Sequence, residues 1–321
     1  MLASFLVVFI HVPFYGLFGE IVKLYARIAV PIFFMTSGYF CYENDSKSIL
    51  RRIKKIFLIL VFTSCIYNIS NLILGFSSEG VNGIYTYFEQ FKNIEEWIKL
   101  LLFNKPFSAT RLWFLFALIY VYLVQILINK YSVSYRIILF LSVSGILIHL
   151  LCGIVLPYYG FSVPSFLCRN FLFFGYPFFA IGLLFRRSED QICSISNKKL
   201  FMGLIAGCCL SLSPLFYSTV AQFSVGTLFL VFVIFIYSLK LSSLNYSSWL
   251  IHLSKCSLGI YILHRPVATV IGKLLSFLPG LNHTISNGVL LPILVCICTT
   301  LLTLFLQGFI DVTNRVTHSK I

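Results

Sequence analysis

Two histidines stand where an ionisable side chain is costly to place. His11 closes the apolar run MLASFLVVFIH and is followed by VPFYGLF, and His264 ends SLGIYILH inside a second apolar run. Ionisable groups within membrane-length apolar segments usually face a protein interior and mark a functional path. Four arginines sit in comparable places: Arg27 ahead of IAVPIFFMTSGYF, Arg111 ahead of LWFLFALIY, Arg169 ahead of NFLFFGYPFF, and Arg265 beside His264. Histidine titrates near neutrality, so in an enclosed site it can act as a general base. It could take the proton of a sugar hydroxyl as that hydroxyl attacks a thioester. Arginines nearby could stabilise the oxyanion or hold a phosphate. The chain carries no GxSxG nucleophile elbow, no HExxH and no Gly-rich phosphate loop. Direct transfer to an acceptor therefore fits better than a serine acyl-enzyme.

The elements that position these groups are membrane spans. Of 321 residues, 59% are hydrophobic and 11% charged, with mean hydropathy +0.94. Soluble domains carry roughly 25% charged residues. A helix crossing ~30 Å of hydrocarbon needs about 20 residues. Apolar runs of that kind lie near 1–18, 26–42, 56–75, 112–129, 137–156, 170–185, 200–217, 223–239, 257–275 and 288–309. They are continuous rather than alternating, which excludes a β-barrel pattern. The expected fold is all-α: a polytopic membrane helix bundle of about ten transmembrane helices in one membrane-embedded domain, 1–321.

Charge orients the bundle. With the N-terminus cytoplasmic, the inner segments hold fifteen of the 24 Lys and Arg, among them Arg51, Arg52, Lys54, Lys55, Arg186 and Arg187. The longest outer segment holds Glu79, Glu89, Glu95 and Glu96. The positive-inside rule then places both termini in the cytoplasm. The net charge of +14 is topology signal with some attraction for anionic lipid, not a nucleic-acid surface. On this map Arg27, Arg111 and Arg169 begin inward-running spans near the outer interface. At a rise of ~1.5 Å per residue, His264 lies ~10 Å deep from Ser257 and His11 ~15 Å from Met1.

Other features have plainer readings. An arginine at a helix end commonly snorkels to headgroups, which accounts for any one of them equally well. His149 reads as a satisfied core histidine, and His252, His283 and His318 as loop residues. The ten cysteines show no CxxC pair and no Cys/His ligand spacing, so neither zinc nor a disulfide framework is indicated, and they read as small buried hydrophobes. IEEWIKLLLF (94–103) suits a short helix on the outer interface or a simple connector. Pro31, Pro177, Pro214, Pro266 and Pro292 fall inside spans and predict kinked helices around an internal cavity.

IVKLYARIAVPIFFMTSGYF resembles the hallmark of the acyltransferase-3 family of membrane acyltransferases, carried here by Arg27, Pro31, Phe33, Phe34, Ser37, Gly38 and Tyr39. His11 matches that family's first-span histidine. RLWFLFALI (111–119) resembles its WFL segment, and SLGIYILH its late LGIYxxH segment, through Gly259, Tyr261 and His264. The resemblance implies an O-acyltransferase of the cell inner (plasma) membrane with no bound cofactor. Its co-substrate would be cytoplasmic acyl-CoA, usually acetyl-CoA, and its acceptor a hydroxyl of a surface polysaccharide or lipid-linked saccharide. It implies His11 and Arg27 as catalytic, with Arg111, Arg169, Tyr261 and His264 around the substrate. Family members carry a further arginine eleven residues before the histidine. That position falls before Met1, so the resemblance implies more helix upstream. A second reading is a transporter or flippase for a lipid-linked glycan, with the arginines lining a pyrophosphate path. A third, an assembly subunit, leaves His11 and His264 without a task.

Overall fold

The computed structural model describes residues 1–107, 110–217, 222–241, 247–276 and 286–318, and among these every regular element is helical. The chain forms two compact units, Met1–Ala29 with Leu241–Ile321, and Val30–Lys240. The first opens with α1 (Leu2–His11) and α2 (Gly16–Ala26). The second follows with α3 (Ala29–Tyr39), α4 (Ser46–Glu79), α5 (Val81–Glu89), α6 (Ile94–Phe103), α7 (Trp113–Lys130), α8 (Tyr135–Leu150) and α9 (Leu156–Tyr158). It is completed by α10 (Ser165–Cys168), α11 (Tyr176–Arg187), α12 (Glu189–Cys193), α13 (Asn197–Ser211) and α14 (Val225–Lys240). The chain returns to the first unit with α15 (Ser248–Lys255), α16 (Ser257–Ser276) and α17 (Leu291–His318).

Among the described residues, seven helical segments are long and apolar enough to cross a membrane: Ser46–Glu79, Trp113–Lys130, Tyr135–Tyr158, Ser165–Arg187, Asn197–Leu215, Ser257–Ser276 and Gly288–Gly308. α1 and α14 are apolar but shorter, and α3 has only 11 residues. All ten expected runs thus contain a helix, though not always a full span. The fold is an all-α membrane helix bundle. Its exposed surface carries large apolar side chains such as Phe57, Phe62, Phe140 and Phe305, as suits contact with lipid.

The run 1–18 is not one span. α1 stops at His11 because Pro13 disfavours helical dihedrals in the residue before it, and Val12 adopts φ −131°, ψ 75°. The chain then turns sharply. Tyr15 N–H donates to the Gly288 carbonyl at 2.9 Å, and Gly16 takes φ +67°, where a side chain would strain the backbone. α2 follows as a separate helix. α4 is longer than expected. Asp45 caps it, its carboxylate accepting from Ser48 N–H at 3.0 Å, and its 34 residues reach about 50 Å at 1.5 Å each, so it projects well beyond ~30 Å of hydrocarbon.

The prolines coincide with local departures from regular α-helix as well as with helix starts. Pro266 lies inside α16. Pro177 and Pro292 are the second residues of α11 and α17, Pro31 is the third of α3, and Pro214 sits in the 3₁₀ turn Ser213–Leu215. Pro31 lies in the first turn of α3, where a missing N–H costs nothing. Among the described residues, each of three π-helical turns, Leu151–Val155, Phe171–Gly175 and Ser286–Leu290, is followed two residues later by a proline: Pro157, Pro177 and Pro292. A proline cannot donate to the carbonyl four residues back and crowds it, and widening the preceding turn is one way a helix absorbs that.

Tight backbone approaches join the second unit's helices. A Cβ on Gly38 of α3 would overlap the Phe179 carbonyl of α11, and one on Gly182 of α11 would overlap the Met35 carbonyl of α3. Around them lies an aromatic core. Phe34 is buried, its ring 4.8 Å from Phe114 and 6.0 Å from Phe174. His149 belongs to this core, as expected. It is buried, stacks on Phe223 at 4.2 Å, and its Nε2 accepts from Gln222 N–H at 3.1 Å. His252 departs from expectation: it lies on α15, not in a loop. His318 is the last residue of α17, and His283 lies outside the described residues. The cysteines are less buried than expected. Cys41, Cys168 and Cys256 are enclosed, whereas Cys65 and Cys209 are exposed.

Candidate active site

The first unit brings both histidines together. Val8 and Val12, flanking the end of α1, pack with Cys256, Ile260 and Ala268 from α16 and its approach and with Val295 of α17. That contact sets His11 at the last turn of α1 against His264 on α16. The rings are stacked, centroids 5.2 Å apart and planes 19° from parallel. His264 is buried and His11 half-buried.

Hydrogen bonding fixes the state of His264. Its Nδ1 lies 2.7 Å from the Tyr261 carbonyl. A carbonyl only accepts, so Nδ1 carries the proton and, in the neutral ring, Nε2 is an acceptor. The Tyr261 ring stands 6.2 Å from that of His264 and is itself buried. Gly259 explains the glycine of this segment: a Cβ there would overlap the Thr303 side chain of α17. α16 therefore sits close against α17, which holds the histidine at its depth.

Arg27 lies in the same unit, in the two-residue turn joining α2 to α3. The turn is closed by Arg27 N–H to the Leu24 carbonyl and Ile28 N–H to the Tyr25 carbonyl, each at 3.3 Å. Arg111 and Arg169 belong to the second unit. Arg111 occupies the 3₁₀ turn Thr110–Leu112 that starts α7, and Arg169 the bend after α10. Arg265 follows His264 on α16.

Sequence reasoning missed Asn104, which ties the last two arginine segments together. It ends α6 in the left-handed conformation, φ 49°, and is buried. Its Nδ2 donates to the Arg169 carbonyl at 3.2 Å and the Trp113 carbonyl at 3.4 Å. Its Oδ1 accepts from Phe171 N–H at 2.7 Å. Asn170 then caps the next turn, accepting from Leu172 and Phe173 N–H at 2.9 and 2.8 Å. An asparagine after an apolar helix, ahead of the Lys-Pro of LLLFNKPF, was the available signal, because asparagine tolerates αL at helix ends.

A family model described as an acyltransferase domain matches residues 1–307. The chain belongs to the acyltransferase-3 family. No curated protein and no solved structure matches it. Its activity is that of a membrane acyltransferase.

Several residues that carry the acyltransferase signature have structural tasks. Trp113, Phe114 and Leu115 are buried in the aromatic core. Ser37 donates to the Phe33 carbonyl one turn back, at 2.8 Å. Tyr39 donates to Glu189 Oε2 at 2.7 Å and accepts from Arg186 Nη1 at 2.9 Å, while Arg186 and Glu189 pair directly. Arg187 lies over the Tyr135 ring at 3.7 Å. Both arginines are therefore engaged in the second unit's own architecture. In this acyltransferase the chemistry-bearing types to which no structural task has been assigned include the histidine pair, the three arginines near helix starts and Arg265 beside His264.

Proposed function

We propose that the protein is an O-acyltransferase that moves an acyl group, acetyl as the family default, from cytoplasmic acyl-CoA to a hydroxyl of a surface polysaccharide or lipid-linked saccharide. The observation that carries this is the stacked pair His11–His264 within a chain of this family. His11 is the general base. It removes the hydroxyl proton as that oxygen attacks the thioester carbonyl, forming a tetrahedral oxyanion. Collapse breaks the carbon–sulfur bond, and the proton on His11 passes to the departing CoA thiolate. At the carbonyl end of α1 the helix dipole favours the positive charge that the ring acquires in this step.

His264 positions His11. Its Nδ1–H anchor on Tyr261 fixes the ring plane, and stacking transmits that to His11. Arg27 is the second catalytic group, offering guanidinium donors to the oxyanion. Arg111 and Arg169 bind anionic parts of donor or acceptor. The fifteen basic residues on one set of segments support an orientation with both termini cytoplasmic in the cell inner membrane, so that acyl-CoA arrives from inside. The test is mass and NMR analysis of surface glycan from a deletion strain and its parent. Loss of one O-acyl group, with CoA released by parental membranes given acyl-CoA and glycan, supports the reading. Identical glycans with no CoA release refute it and favour glycan transport.

A further inference from the structure

A groove of about 600 Å³ runs between two spans of the second unit. α8 lines it with Leu139, Val143, Leu147 and Leu150, a stripe at helical spacing, and α11 with Leu184 and Phe185. Among the described residues that line it, Ser188 alone is polar. Leu139, Val143 and Leu147 are exposed, so on a membrane span the groove opens to lipid. The two helices run antiparallel: Tyr135 at the start of α8 meets Arg187 at the end of α11, and a Cβ on Gly145 would meet Pro177 near the start of α11. From Leu139 to Leu150 α8 rises about 16 Å, close to half of the ~30 Å hydrocarbon thickness and so the depth of one leaflet. One end of the groove is basic. Arg136 stands one turn before Leu139, and Arg187 stands beside Ser188 with its guanidinium 3.7 Å from the Tyr135 ring, straddling both helices. Stacking uses the face of the guanidinium and leaves N–H donors in its plane. Among the described residues no carboxylate pairs with either arginine. On α12, Glu189 is held by Arg186 and Tyr39, which leaves Asp190 facing an excess of cations. That excess includes Lys198 and Lys199 at the start of α13, whose Leu200 packs with Phe185 and Ile192 of the groove.

We propose that this groove holds one fatty chain of an anionic phospholipid, with the lipid phosphate on Arg136 and Arg187. A fatty chain suits an apolar lining with a single hydroxyl and the length of one leaflet. Two guanidiniums on neighbouring helices suit a phosphate, and basic pockets between spans are where acidic headgroups bind. A second helix is a poorer occupant, because helices associate within lipid through small residues and the α8 stripe is made of leucines and a valine. The bound lipid ties the start of α8 to the end of α11, the helix whose Gly182 packs on α3. This site needs no acyl-CoA chemistry and is independent of the acceptor.

The experiment titrates the intact chain in detergent with dioleoyl phosphatidylglycerol or dioleoyl phosphatidylcholine and reads bound lipid by native mass spectrometry. Wild type should bind the anionic lipid about twentyfold more tightly, the contribution of two arginines. Arg136→Gln and Arg187→Gln should each weaken phosphatidylglycerol about fivefold and leave phosphatidylcholine unchanged. Lys255→Gln, on α15 of the first unit, is the control and should change neither. Val143→Trp, which fills the groove from its lipid-exposed side, should weaken both lipids by a common factor and keep the preference. Excess glycerol 3-phosphate should displace neither lipid. Equal affinity of wild type for the two lipids, or a preference untouched by both arginine variants, overturns the proposal. So does a Val143→Trp protein that binds both lipids like wild type. Displacement by glycerol 3-phosphate would identify a free-phosphate site instead, and a lipid-free dimer would identify a second copy as the occupant.

Discussion

His11 and His264 lie face to face at 5.2 Å, although one ends α1 and the other sits on α16. His264 is anchored by a backbone carbonyl on its own turn. His264→Ala should therefore lower kcat about a hundredfold through misplacement of His11, with little change in KM for acyl-CoA. His264→Asn, which can still donate to the Tyr261 carbonyl, should recover part of that loss. Steady-state kinetics of the two variants check this. Equal loss in both, through KM, would place His264 in donor binding instead.

Gly38 and Gly182 form a reciprocal contact, each facing a backbone carbonyl on the other's helix. Backbone cannot yield as a flexible side chain does. Gly38→Ala or Gly182→Ala should each destabilise the protein by about 1–3 kcal/mol, the usual scale of overpacking. Thermal unfolding in detergent reads this as a lowered Tm. Gly308→Ala, which meets nothing within 4 Å, is the control and should leave Tm unchanged.

Asn104 does two things, and two variants separate them. Asn104→Gly keeps the αL backbone and loses the side-chain bonds to Arg169, Trp113 and Phe171. Asn104→Ala loses both. Gly should cost about 1–3 kcal/mol, the scale of leaving buried groups unpaired, and Ala about 1 kcal/mol more for the left-handed conformation. Equal stability of wild type and Asn104→Gly would refute the linking role.

The clasp outside the spans should respond to acid. Glu96 accepts from Lys105 at 2.8 Å and Lys99 at 3.0 Å, and these bonds, Lys105 first, hold its carboxyl below the ordinary carboxylate range. A depressed folded value means stabilisation that is full above the unfolded value, about 4.3, and is lost as pH falls through the folded one. Trp97 reports on it, since it shares α6 and its Nε1–H donates to Phe91 at 2.9 Å. With Trp113 and Trp249 replaced by Phe, Trp97 fluorescence should change below about pH 4, and Glu96→Gln should remove that transition.

Much of this was legible in the sequence. Hydropathy located every helix in the ten runs, and residues 94–103, open between a short helix and a connector, form a helix with those bounds. What hydropathy could not show was interruption. MLASFLVVFIHVPFYGLF is apolar throughout, yet the Val12–Pro13 step and the positive φ of Gly16 divide it, and this break is what puts His11 at a helix end. The prolines do disturb their helices, but Pro177 and Pro292 do so through a widened turn just before them, which apolar averaging does not reveal. For the site, motif types marked His11 and His264 and helix rise gave their rough depths, but their stacking is visible only in the structure. Their orientation depended on Gly259 packing against Thr303, a contact between distant segments. Asn104 escaped because one polar residue in a loop carries no periodicity.

The proposed reaction turns on His11 removing the acceptor's proton. The most direct test is release of CoA thiol by membranes containing wild type or His11→Ala, given acyl-CoA and deacylated surface glycan, at matched levels of inserted protein. The prediction is loss of acceptor-dependent release by at least 10²-fold, the lower end of general-base catalysis, with CoA binding retained. Release at the wild-type rate from a well-inserted His11→Ala protein would contradict it.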